Sequence, residues 1–141
     1  MFKPNGETLY LERMFNVPQK QVFNAWSSSE AMSSWVGLGE GMKTTAQVDF
    51  REGGNYSIVS GPYTVRGIYQ KISPFDNIVF TWKWDGDQDV PDMLVTIKVE
   101  VTQQGSKMTL IHDKIADLQR LEQHKAGWEI ALERLAKTLE A

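Results

Sequence analysis

The breaks between residues 46 and 112 leave the chain little choice of topology. Six β-like segments, 46–50, 55–60, 63–72, 78–84, 93–102 and 107–112, follow one another with short turn signals between them. These signals are Gly53-Gly54, Gly61-Pro62, Ser73-Pro74 with Asp76-Asn77, the acidic run 85–89, and Gln104-Gly105. Parallel neighbours need a crossover of about a dozen residues or more, so connections this short predict an antiparallel meander.

The flanking segments have other periods. Residues 8–15, TLYLERMF, follow an Asn5-Gly6 turn signal and read as a first strand that stops before Pro18. Pro18 suits the opening of a short helix carrying Val22, Phe23 and Trp26 on one face, and after Ser27–Ser29 a second short helix carries Ala31, Met32 and Trp35. From about Ile115 to Ala141 the pattern is that of a long amphipathic helix, with Leu121, Trp128, Leu132, Leu135 and Leu139 along one stripe and Glu122, Glu129, Glu133 and Lys137 opposite. The expected architecture is one α+β domain over residues 1–141: strand, two short helices, six strands and a long helix that covers the sheet on one side.

A chain of 141 residues buries roughly two-thirds of its unfolded surface, enough for one core. A net charge of −3 gives no basic footprint for nucleic acid or an anionic membrane, so neither is an expected partner. The absence of cysteine removes disulfide and thiolate chemistry. The start MFKPNGETLY lacks a signal-like apolar run and no stretch approaches 18 apolar residues, which makes a cytoplasmic protein without a membrane span the default expectation.

Five tryptophans are many for such a chain, and two of them stand in FTWKW, residues 80–84. On a strand Phe80, Trp82 and Trp84 point to one side and Thr81 and Lys83 to the other, toward water. The helical stripe of Trp128, Leu132 and Leu135 is the natural partner for those rings. Each ring removes about 150–250 Å² from water when buried, more than a thin layer between helix and sheet readily fills, so the same residues fit either a solid core or the wall of a ligand cavity. Trp35, Val48, Phe50, Tyr56, Val65 and Tyr69 are further candidates for that space, with His112, Arg66, Tyr56 and Tyr69 as the polar groups able to orient a guest.

Other motifs fail on spacing. VGLGEGMKT has Met42 where a phosphate loop needs glycine before the lysine, follows a helix, and carries Glu40, which repels an anion. DGDQDVPD alternates Asp85, Asp87 and Asp89 as a calcium loop does, but Val90 replaces the turn glycine and Thr96 stands where the bidentate glutamate belongs, so a hairpin tip is the better reading. With two histidines and no cysteine, no zinc set is apparent and no metal or other cofactor is implied. His124, between charged neighbours on the helix, reads as solvated, and His112 reads as a hydrogen-bonded histidine ending the last strand.

Taken in order, YLERMFNVPQKQVFNAWSSSEAMSSWVG, DFREGGNYSI, VRGIYQKISPFDNIVFTWKW, KMTLIHD and AGWEIALERLAKTLE resemble the START-like, helix-grip superfamily, also called SRPBCC. The likeness is strongest to the branch named after the activator of the ninety-kilodalton heat-shock protein's ATPase and runs over residues 8–140. Two departures are local: Trp35-Val36-Gly37 keeps the first of two tryptophans common in relatives, and Asn77 stands without the usual arginine. The resemblance implies a curved antiparallel sheet of six to seven strands gripping the C-terminal helix, with a cavity between them that holds a small apolar molecule such as a lipid, a polyketide or an aromatic compound. The ligand-binding set it suggests here is Trp35, Phe50, Tyr56, Arg66, Tyr69, Phe80, Trp82, Trp84, His112, Trp128 and Leu132, in a monomer or homodimer. The branch name raises a second expectation, a co-chaperone-like module of the stress response with a chaperone as partner. A third is a cyclase- or hydrolase-like enzyme using His112, Asp113 or Glu52 as acid or base.

Overall fold

The computed structural model describes residues 6–37, 43–87 and 90–140. Strand β1 (Glu7–Phe15) leads into two short helices, α1 (Gln19–Asn24) and α2 (Ser29–Trp35). Six strands follow, β2 (Thr44–Val48), β3 (Asn55–Ser60), β4 (Tyr63–Ser73), β5 (Asn77–Trp84), β6 (Met93–Thr102) and β7 (Gly105–Ile115), and then α3 (Leu118–Leu139). Among the described residues the strands make one seven-stranded antiparallel sheet in the order β1-β7-β6-β5-β4-β3-β2. Chain-order neighbours form the meander, and β1 closes the far edge beside β7.

Several boundaries differ from the sequence expectation, three of them for physical reasons visible in the structure. Strand β7 runs on to Ile115 rather than ending at residue 112, because Ile115 still pairs with Glu7 of β1. Helix α3 therefore begins at Leu118, where the Asp117 side chain accepts the Arg120 backbone N–H at 2.8 Å and satisfies one of the free amides of the first turn. Strand β2 ends at Val48 rather than residue 50, since the chain turns back over residues 49–54 with Gly53 at φ 82°, a conformation suited to glycine. Pro18 sits just outside α1, at its N-cap.

The register builds the inner face in rows. Tyr69 pairs with Phe80, Phe80 with Val95, Val95 with His112, and His112 with Leu9, so one line of inward side chains crosses five strands. All five are buried. Helix α3 lays Trp128, Ala131, Leu132, Leu135 and Ala136 into this face, each large apolar side chain contributing about 1.5–3 kcal/mol on burial. An Arg13–Glu133 ion pair at 2.9 Å ties α3 to β1.

Helix α2 is fixed beside the other edge. Its Ser33 and Ser29 hydroxyls accept the Ala46 and Val48 N–H groups of β2 at 2.8 and 2.9 Å, satisfying amides that an edge strand otherwise leaves open. This anchoring carries Val36 and Gly37, just past α2, to the mouth of the space between sheet and helix.

Candidate cavity between strand β5 and helix α3

The inward side chains of β5 meet two different surroundings. At its start, Phe80 packs against Tyr56, Tyr69 and Trp26 with ring centroids 5.4, 5.9 and 6.2 Å apart. Phe50 adds to this cluster against Tyr69 at 5.1 Å, and Trp35 stands edge-on to Trp26 at 4.6 Å. The void left among Trp26, Met32, Tyr56, Tyr69, Ile78 and Phe80 is about 10 Å³, too tight for a guest. Tyr56 fits here because Gly67 has no side chain: a Cβ on Gly67 would lie 2.5 Å from the Tyr56 ring. The Tyr56 hydroxyl donates to the Thr81 carbonyl, and the Trp35 indole N–H donates to the Ala25 carbonyl at 3.0 Å. Burial raises the Tyr56 and Tyr69 hydroxyls above the ordinary tyrosine pKa, so both stay neutral. Half of the aromatic face is thus solid core.

At the other end of β5 the space stays open. A cavity of about 660 Å³ lies between Trp82 and Trp84 of β5, Tyr63 and Thr64 at the start of β4, and Gly127 and Trp128 of α3. Its remaining boundary is Val36, Gly37, Pro62, Asp85, Asp87, Arg120, Gln123 and His124. Three indoles form a continuous wall, Trp82 lying 5.1 Å from Trp128 and 5.8 Å from Trp84 between ring centroids.

Two histidines brace that wall. The Trp84 indole N–H donates to His124 Nε2 at 3.0 Å, and His124 Nδ1 donates to the Arg120 carbonyl at 2.7 Å. The Trp128 indole N–H donates to His112 Nδ1 at 3.0 Å. Because an indole N–H only donates, each accepting nitrogen is unprotonated and both imidazoles are neutral. Burial, reinforced by His124, lowers the His112 pKa well below the ordinary histidine value. Burial lowers that of His124 too; the Arg120 guanidinium adds to the effect, while the hydrogen bond to the Arg120 carbonyl and the Asp87 carboxylate oppose it.

Of the residues expected to bind a ligand, Trp82, Trp84 and Trp128 line the cavity and His112 stands directly behind Trp128. Trp35, Phe50, Tyr56, Tyr69, Phe80 and Leu132 pack elsewhere in the core. Arg66, expected among the orienting polar groups, is on the outer face, where its guanidinium holds Asp85 through contacts of 3.0 and 3.2 Å. Its neighbour Val65 points inward, and adjacent strand residues face opposite sides. His124, read as solvated, is half-buried in the cavity wall.

Gly127 was overlooked in the sequence. A Cβ placed on it would meet no atom within 4 Å, so this helical glycine leaves cavity space empty. Its only sequence signal is an isolated glycine inside a helical pattern. The three acid–base candidates do not converge: His112 is buried, Asp113 accepts the Thr8 hydroxyl at 2.7 Å, and exposed Glu52 accepts the Ile72 N–H at 3.1 Å. The glycine-rich stretch 38–42 and residues 88–89 of the acidic run lie outside the described residues.

A curved antiparallel sheet closed over a long terminal helix is the helix-grip architecture. The chain belongs to the family described as activator of Hsp90 ATPase homolog 1-like protein, which matches residues 16–140. Solved structures agree. A protein of Chromobacterium violaceum superposes with a TM-score of 0.80 at 25% identity, covering 98% of this chain and 99% of the other. The AHSA1 protein of Silicibacter pomeroyi gives 0.79 at 28% identity, covering 95% and 98%. An HSP90 activator from Plasmodium falciparum gives 0.78 at 24% identity, covering 96% and 97%, and at that identity shares the fold alone. No curated protein matches the chain. Among the described residues no helix is long and apolar enough to cross a membrane.

Proposed function

We propose that this protein binds a small apolar molecule in the space between Trp82, Trp84 and Trp128. The observation that carries the reading is the 660 Å³ cavity walled by three indoles and left open by Gly127. Its volume falls within the range of about 300–1,000 Å³ common to small-molecule sites. A glycine in a helix interior costs about 1 kcal/mol relative to alanine, so an unfilled glycine facing a cavity supports a space kept for a guest.

Titration with a panel of acyl and aromatic compounds tests the reading. Saturable quenching of tryptophan fluorescence together with a raised melting temperature is the expected result, because a ligand that binds only the native state stabilises it. A panel that gives neither response defeats it.

The family relationship supports a second reading, a protein-interaction module acting on a chaperone ATPase. Tyr10 and Met14, 57% and 55% exposed on β1, offer an apolar contact surface for it. Stimulation of an Hsp90 ATPase that is lost in Tyr10→Ala with Met14→Ala is the expected result there; no stimulation by the unaltered protein removes this reading.

A further inference from the structure

The indoles of the cavity wall offer a guest no free hydrogen-bond donor; the side-chain donors on the boundary are Tyr63, Thr64, Arg120 and Gln123. Trp84 and Trp128 both commit their indole N–H to histidines, His124 within the wall and His112 behind it, and the Trp82 N–H is buried with no acceptor among the described residues. What the three residues present to a guest is therefore ring surface. Asp85, the acid nearest the end of β5, is held by Arg66 from the outer face.

We infer that the guest is a flat aromatic molecule that stacks on the Trp84 and Trp128 rings, and that His124 is the positioning residue that keeps the Trp84 ring in place for it. This rests on the cavity-binding reading above. An aromatic plane gains from offset or edge contacts with such rings, whereas a flexible acyl chain loses rotamer freedom on entry and gains no comparable geometry. His124 suits its role because it is clamped at both ring nitrogens, by the Arg120 carbonyl on its own helix and by Trp84 across the interface.

The clamp also makes recognition sensitive to acid. Protonated His124 sets an N–H against the Trp84 N–H, so the bond is lost and the indole is freed. The groups facing His124 are Trp84 on β5, Asp87 beyond β5, His112 on β7 at 4.7 Å between ring centroids, and Arg120 one turn earlier on α3. His112 and the Arg120 guanidinium oppose a charge on His124, while the Arg120 carbonyl that accepts from Nδ1 and the Asp87 carboxylate favour it.

Isothermal titration calorimetry with naphthol and decanol tests the inference. Naphthol is expected to bind at least about tenfold more tightly than decanol near pH 7.5, and to weaken at low pH once His124 is protonated. His124→Gln places an amide oxygen where Nε2 accepts, so it should bind naphthol within about threefold of wild type and show no such pH dependence. His124→Leu removes the acceptor and should weaken naphthol about tenfold at either pH. Equal affinity for both probes, or a pH dependence that survives in His124→Gln, overturns the inference while leaving a binding cavity. No binding of either probe at any pH overturns the cavity reading with it.

Discussion

Trp128 donates its indole N–H to His112 Nδ1 at 3.0 Å inside the interface between helix and sheet. The bond requires a neutral imidazole, and burial holds the His112 pKa well below the ordinary value, with His124 shifted the same way. In the unfolded chain both histidines titrate near about pH 6.5. Below that pH the unfolded state binds protons that the folded state refuses, so stability is full above about pH 6.5 and falls as the pH drops, until the folded-state pKa values are reached. The melting temperature is expected to fall between about pH 7.5 and about pH 5, and to fall less in His112→Asn combined with His124→Gln. An undiminished fall in the double variant would assign the effect to other groups.

Phe80 and Trp84 leave the same side of β5, yet only Trp84 reaches the cavity. Phe80→Ala opens a hole in a packed aromatic cluster and should cost about 3–5 kcal/mol in urea unfolding. Trp84→Ala should cost less, since the ring is half-buried, but should weaken guest binding far more than Lys83→Ala, whose ammonium pairs with Asp92 at 3.4 Å. Equal effects of the Trp84 and Lys83 substitutions on binding would place the guest outside this cavity.

The chain's alternation and turn residues made the sheet, the helix order and the inward parity of FTWKW legible, because period and connection length are local properties. The division of the aromatic face was not legible. Whether Phe80 or Trp84 borders empty space depends on what arrives from elsewhere: Trp26 and Tyr56 fill one end, while Gly127 leaves the other open. Arg66 could have been placed correctly, since Val65 beside it was assigned inward and the two must face opposite ways. His124 could not, because its indole partner is 40 residues away in the chain.

Asp117 sets where β7 ends and α3 begins, so its cap bears on the placement of Arg120 and His124 in the following turns. Asp117→Ala should lower stability by about 1 kcal/mol, and Asp117→Asn by much less, because asparagine caps as well as aspartate. The check is a shift of the urea midpoint without a change of slope. Equal losses in both variants would mean that the carboxylate charge, rather than the hydrogen bond to the Arg120 N–H, is what matters.

Gly127 separates a cavity kept for a guest from one left by poor packing. A leucine side chain at this position would grow into the open space, since no atom lies within 4 Å of its Cβ. It would also replace the residue that weakens the helix, by about 1 kcal/mol relative to alanine. Gly127→Leu should therefore melt no lower than wild type and bind an aromatic guest at least about tenfold less tightly. Gly127→Ala should gain up to about 1 kcal/mol in urea unfolding with a smaller loss of affinity. Such opposed changes in stability and binding are the signature of a residue retained for the space it leaves. A Gly127→Leu protein that binds the guest as wild type does would show that the guest sits somewhere else.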